Sequence, residues 1–222
     1  MATQTLVLLG DSILDNSSYT RPTPDTTAHL QRLLPDWSVQ RCAMDGATMS
    51  DVAFQLRALA QRPTLAVLSI GGNDAAEHIG LLQKRVPTSA EVLRDLLVIA
   101  DDFAARYEEV ARKVRARAER AVLCTIYEVQ LEPEVFTRLV RVPLALLNDR
   151  IVRIGSRLGM DVLELRSVCT EPDDFVLQIE PSARGAEKIA RAIAGMISGD
   201  GTLTSNRIFA AGRDAFISRP ER

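Results

Sequence analysis

Three short clusters in this chain hold the residue types that acyl chemistry uses: Gly10-Asp11-Ser12, Asp45-Gly46-Ala47-Thr48 and Gly71-Gly72-Asn73-Asp74. A serine hydroxyl can attack a carbonyl carbon. The carbonyl oxygen then turns negative and must meet donors already in place, commonly a glycine backbone N–H and an asparagine side-chain amide. One such donor is worth about 2.7–4 kcal/mol in the barrier. Ser12 is therefore a candidate nucleophile, Gly46 and Asn73 are candidate oxyanion donors, and Asp11 and Asp74 are their acidic neighbours. Each piece also has an ordinary reading. Gly-Asp-Ser is a common strand-to-loop turn, Gly46 suits any positive φ, and Asn73 can tie its own loop.

Such chemistry needs the clusters on one rim, and the hydropathy pattern provides a scaffold for that. Leu6, Val7, Leu8 and Leu9 form an unbroken apolar run that stops at Gly10, as in a strand buried on both faces of a parallel sheet. Residues 65–70 repeat the pattern before Gly71, and 121–126 make a fourth strand. Trp37, Val39 and Arg41 mark a short second strand, and residues 161–165 a fifth. A polar loop over 15–25 precedes a helix from Thr26 or Thr27 that carries His29, Leu30, Leu33 and Leu34. Ser50 or Asp51 can cap a helix with Val52, Phe54, Leu56 and Leu59, and Thr88-Ser89-Ala90-Glu91 matches a capping box before the longest helix. Pro143 fits the first turn of a helix with Leu144, Leu147, Ile151, Ile154 and Leu158 inward, and Gly159 fits its C′ position. Pro181 and Ser182 open the last helix, with Ile189, Ile193 and Ile197 facing in.

Strands alternating with helices imply an α/β fold. The economical form is a three-layer α/β/α sandwich on a five-stranded parallel sheet in the flavodoxin-like order 2-1-3-4-5. Ligands bind such sheets at the carboxyl ends of the strands, where all three clusters fall. Residues 1–200 read as one domain, and 201–222 as a loosely docked tail.

The 222 residues carry 27 Lys and Arg against 29 Asp and Glu, a net charge of −2, so no basic surplus draws the chain to nucleic acid. Cys42, Cys124 and Cys169 lack CxxC spacing, and His29 and His78 are the only histidines, which argues against a zinc site or other metal. Reduced thiols, no leader pattern and no membrane-length apolar run together suit a cytoplasmic protein. Nothing in the chain sets an oligomeric state.

In order and together, the three clusters resemble the SGNH hydrolases, the GDSL-like esterase and lipase family, over residue 6 to about residue 197. The third cluster is the most specific match. The resemblance implies Ser12 as nucleophile, with the Ser12 N–H, the Gly46 N–H and the Asn73 side chain as oxyanion hole. It also implies a small-molecule ester or acyl substrate and no cofactor.

At the fourth block the chain departs from the family. Members carry Asp-x-x-His-Pro before the last helix, for the general base and the carboxylate that orients it. Here the stretch reads Leu177-Gln178-Ile179-Glu180-Pro181. Glu180 stands in the histidine's place and Leu177 in the aspartate's, while Asp173 and Asp174 are out of spacing. A histidine titrates near 6.5 and a glutamate near about 4.3, so Glu180 is the weaker base unless burial raises it. Arg184 and the helix start would lower it again. The expectation is a slow serine esterase with Glu180 as base, or a silent member that binds an acyl or sugar ligand. His78, shortly after Asn73, is a lesser candidate base.

Overall fold

The computed structural model describes residues 4–198. The stretch 201–222, read above as a tail, lies outside them. In chain order the elements are β1 (Gln4–Gly10), α1 (Ser17–Thr20), α2 (Thr26–Leu33), β2 (Trp37–Arg41), α3 (Val52–Arg57), β3 (Leu65–Ser69) and α4 (Gly72–Ala76). Then follow α5 (Ser89–Arg117), β4 (Arg120–Cys124), α6 (Glu134–Leu158), β5 (Asp161–Leu163), β6 (Phe175–Val176), β7 (Glu180–Pro181) and α7 (Ala183–Ser198).

The sheet is parallel in the order β2-β1-β3-β4-β5, as the pattern implied. The unbroken run in β1 has a simple cause, because successive residues of a strand point to opposite faces. Val7 and Leu9 join the core under α3, α5 and α6, with Val52, Phe103 and Ile151. Leu6 and Leu8 join the core under α2 and α7, with Leu30, Ile189 and Ile193. Both layers are apolar, so the strand is apolar throughout. The chain runs from β1 to β2 on one side and then crosses to β3 on the other, and at such a reversal of strand order a crevice opens at the strand ends, where Ser12 and Asn73 emerge.

Several local expectations need correction. Pro143 lies inside α6, which begins at Glu134. The preceding turns are helical in their own right, with Arg138 paired to Glu134 at 2.7 Å, and the helix gives up one N–H at the proline. Asp51, one of the two expected caps, is the N-cap of α3, but its side chain makes no bond to that helix and instead forms a capping box with Thr48 around a 3₁₀ turn over Met49–Asp51. Thr88 does sit at the N-cap of α5, but its side chain makes no capping bond. The loop over 15–25 contains the single turn α1. Phe54, grouped with the apolar stripe of α3, is 58% exposed, and Arg57 lies over its ring. The β6–β7 hairpin was not anticipated. Its three-residue loop, residues 177–179, places Leu177 (φ 50°) and Gln178 (φ 71°) in the left-handed region, and the Ile179 N–H donates to Val176 O at 3.3 Å to close the turn around them.

Candidate active site

Gly10 ends β1 with a φ of 122°, and an added Cβ would stand 1.7 Å from the Ser69 carbonyl oxygen, so glycine is required there. From α3, the buried amide of Gln55 accepts the Gly10 N–H at 2.7 Å and donates to the Gly10 carbonyl at 2.8 Å. The Asp11 N–H donates to Ser69 O at 3.0 Å, and Asp11 Oδ1 accepts the Ile13 N–H at 3.2 Å. Held on both sides, the turn presents a buried Ser12.

The other two clusters are stapled to each other. Asn73 Nδ2 donates to Ala47 O at 2.8 Å. Next to it, Asp74 accepts the Met49 N–H at 3.1 Å and the Arg106 Nη1 at 3.0 Å. Asn73 thus spends one amide hydrogen on the loop and keeps the other. Among the described residues, the backbone N–H groups of Ser12 and Gly46 have no acceptor.

Glu180 arrives on β7, and its hairpin is fixed on two sides. The Gln130 N–H donates to Gln178 O at 2.8 Å, the Glu132 N–H to Gln178 Oε1 at 2.9 Å, and the Tyr127 hydroxyl to Ile179 O. Below it, the Ser182 hydroxyl donates to Asp173 O at 2.6 Å and accepts the Gly185 N–H at 3.1 Å at the start of α7. The arginine expected to pair with Glu180 is turned away. Arg184 reaches Asp174 at 3.4 Å and Asp173 at 3.6 Å, and Lys188 holds Asp174 at 2.6 Å. Glu180 Oε2 is left buried with no hydrogen-bond partner.

A cavity of ≈ 220 Å³ has Asp11, Ser12, Asn73, His78 and Glu180 on its wall. Gly46 is exposed on the adjoining loop and Asp74 is buried off the wall, so neither lines the cavity. His29 lies on α2, away from it. Burial pushes the Glu180 carboxyl above its usual range, against the nearby Ser12 hydroxyl, which draws it down in part. The net direction is therefore the reverse of the one expected from Arg184. Burial also raises Asp11 to about 8, with a further contribution from the charge of Glu180. Asp74 is raised by burial against the Met49 N–H and Arg106.

A hydroxyl beside an under-solvated carboxylate, with unpaired N–H donors nearby, is an arrangement that can pass a proton and receive negative charge. Among the described residues, no group of three or more His, Cys, Asp or Glu side chains is placed to hold a metal ion. No described helix is long and apolar enough to cross a membrane. Gln55 and Arg106 were missed in the sequence. The signal for Gln55 was present, since it stands with Val52, Leu56 and Leu59 at helical spacing, a polar residue on an inward stripe.

Residues 8–188 match the family model described as GDSL-like Lipase/Acylhydrolase family. No curated protein matches the chain. Among solved structures, phospholipase A1 from Streptomyces albidoflavus NA297 is 19% identical, with a TM-score of 0.66 over 86% of this chain and 98% of that one. An extracellular lipase from Streptomyces rimosus is 16% identical, with a TM-score of 0.63 over 86% and 98%. Axe2, an acetylxylan esterase from Geobacillus stearothermophilus, is 19% identical, with a TM-score of 0.61 over 86% and 93%. Two further Axe2 structures are of catalytic mutants, one altered at a histidine and one at an aspartate.

Proposed function

The chain belongs to the GDSL-like lipase/acylhydrolase family, and from that premise we propose that it hydrolyses an ester or acyl bond through Ser12, with Glu180 as general base. The observation that carries this reading is the placement of Ser12, Asn73 and Glu180 on the wall of one cavity. Glu180 takes the Ser12 proton while the oxygen attacks the acyl carbon, and the carbonyl electrons move onto its oxygen. The Ser12 N–H, the Gly46 N–H and the spare Asn73 amide hydrogen receive that charge. Collapse restores the carbonyl and expels the alcohol, which leaves with the proton held by Glu180. Water then repeats the sequence on the acyl-serine and releases the acid.

In this reading Glu180 stands in for the family's histidine and Leu177 for its aspartate; the Axe2 catalytic mutants are altered at a histidine and an aspartate of that protein. The raised carboxyl of Glu180 supports a base role, since a base works best with a pKa near the working pH. With no carboxylate behind it the enzyme is slow. Loss of a triad member leaves about 10³–10⁴-fold catalysis over water. The test is turnover of p-nitrophenyl butyrate by the wild type, Ser12→Ala and Glu180→Gln. Turnover confined to the wild type is expected, and turnover that survives Ser12→Ala refutes the reading.

A further inference from the structure

The cavity has a wall that extends beyond the residues that the chemistry uses. We infer that it takes an unbranched aliphatic acyl chain, laid between the first halves of α5 and α6, which makes the substrate a fatty acyl ester. This inference rests on the reading of Ser12 as the nucleophile.

The two helices run side by side and are closed over their later turns by ion pairs, Arg150 with Asp101 at 2.9 Å and Arg157 with Glu108. Nearer the site they part around the cavity. Leu96 and Ile99 face it from α5, and Val140, Leu144 and Leu147 face it from α6, at the spacings that keep a helical stripe on one side. Both stripes line the cavity with apolar side chains.

What the wall lacks narrows the ligand. It includes no lysine or arginine; beside Ser12 stand the carboxyls Asp11 and Glu180, and His78 is the one basic side chain on the wall, so an anionic acyl group would meet two carboxyls at the reacting end and no permanent counter-charge. Sugar binding uses exposed aromatic faces and many donors. The chain's one tryptophan, Trp37, pairs with Gln4 at the opposite end of the sheet, and the Tyr127 hydroxyl is already spent on Ile179 O. An aliphatic chain needs neither.

The mouth agrees with the interior. Ile79 and Ile179 line the cavity and are a little under half exposed, and Leu177, two residues along the hairpin, is 75% exposed. Leu177 also occupies a left-handed conformation that favours glycine or asparagine. An apolar side chain there, at a strained and solvated site, has no role in packing the fold.

The test is a series of p-nitrophenyl esters, acetyl, butyryl, octanoyl and palmitoyl, with the wild type, Leu96→Trp and Ile99→Trp. In the wild type kcat/KM rises from acetyl to octanoyl, by up to about fourfold for each added methylene. The octanoyl-to-acetyl ratio, measured within each protein, falls about tenfold or more in either tryptophan variant. Binding of methyl octyl ketone to Ser12→Ala protein, with and without Leu96→Trp, reads the same site without turnover. Ester turnover with no preference for chain length, and a ketone affinity indifferent to Leu96→Trp, would overturn the acyl site and leave the serine chemistry standing. Ketone binding that Leu96→Trp abolishes, in a protein with no esterase activity, would support the acyl site and remove the proposed function.

Discussion

Gln55 and Gly10 are joined by two hydrogen bonds, the glycine N–H donating to Oε1 at 2.7 Å and Nε2 donating to the glycine carbonyl at 2.8 Å. A side chain from α3 thereby satisfies the Gly10 N–H, which no neighbouring backbone reaches, shares the Gly10 carbonyl with the Met44 N–H, and sets the position of Ser12 two residues later. Gln55→Leu is roughly isosteric but strands the buried Gly10 N–H, at a cost of about 1–3 kcal/mol, while the Gly10 carbonyl keeps the Met44 N–H at 2.9 Å. A Tm lower by several degrees is expected, together with a fall in kcat larger than any rise in KM. Unchanged kcat in a destabilised variant would make the role purely structural.

Asp11 gives a pH dependence of defined sign. Its carboxyl is raised from 3.8 to about 8 by burial, so between those values the folded state holds a proton that the unfolded state has lost. The associated stability is complete below about pH 4 and is lost as pH rises toward 8, at up to about 1.4 kcal/mol per pH unit. Asp11→Asn removes that loss. In urea titrations the variant should gain on the wild type steadily from pH 5 to pH 8, and a constant difference would contradict the burial argument.

Glu180 must be ionised to accept a proton, so activity is low below its raised pKa and rises with pH through it. The double substitution Leu177→Asp/Glu180→His restores the family's residue types at both positions. It should increase kcat about tenfold or more and move the acid limb toward the histidine range near 6.5. A slower double variant would mean that the cavity is built around the carboxylate.

Leu177→Gly tests the hairpin. The side chain is 75% exposed and the residue holds a φ of 50°, so glycine relieves strain and gives up little packing. A gain of about 0.5–1 kcal/mol, or about 1–4 °C in Tm, is expected by calorimetry. A lower Tm would show that Leu177 is held by contacts that outweigh its backbone strain.

The fold was legible because its signal is repeated. Each of β1, β3 and β4 is apolar on both faces, and Gly10 and Gly71 mark where two of them end. The residues around Ser12 and Asn73 were legible for the same reason, since strand ends place them on the rim. Less legible were features that depend on contacts between distant parts of the chain. Arg184 was expected beside Glu180 from its spacing, yet the buried Asp174 captures it. Pro143 was read as a helix start, although the turns before it hold without it. Gln55 was passed over because its partners are backbone atoms 45 residues away, which no local pattern records.

The central claim is that Glu180 activates Ser12, and intact-mass analysis of labelling by an ethyl fluorophosphonate tests it directly. The account predicts one adduct per chain on Ser12, none in Ser12→Ala, a rate that rises with pH through the Glu180 titration, and a rate at least tenfold slower in folded Glu180→Gln. Labelling of Glu180→Gln as fast as the wild type, or no adduct on Ser12 at any pH, would contradict it.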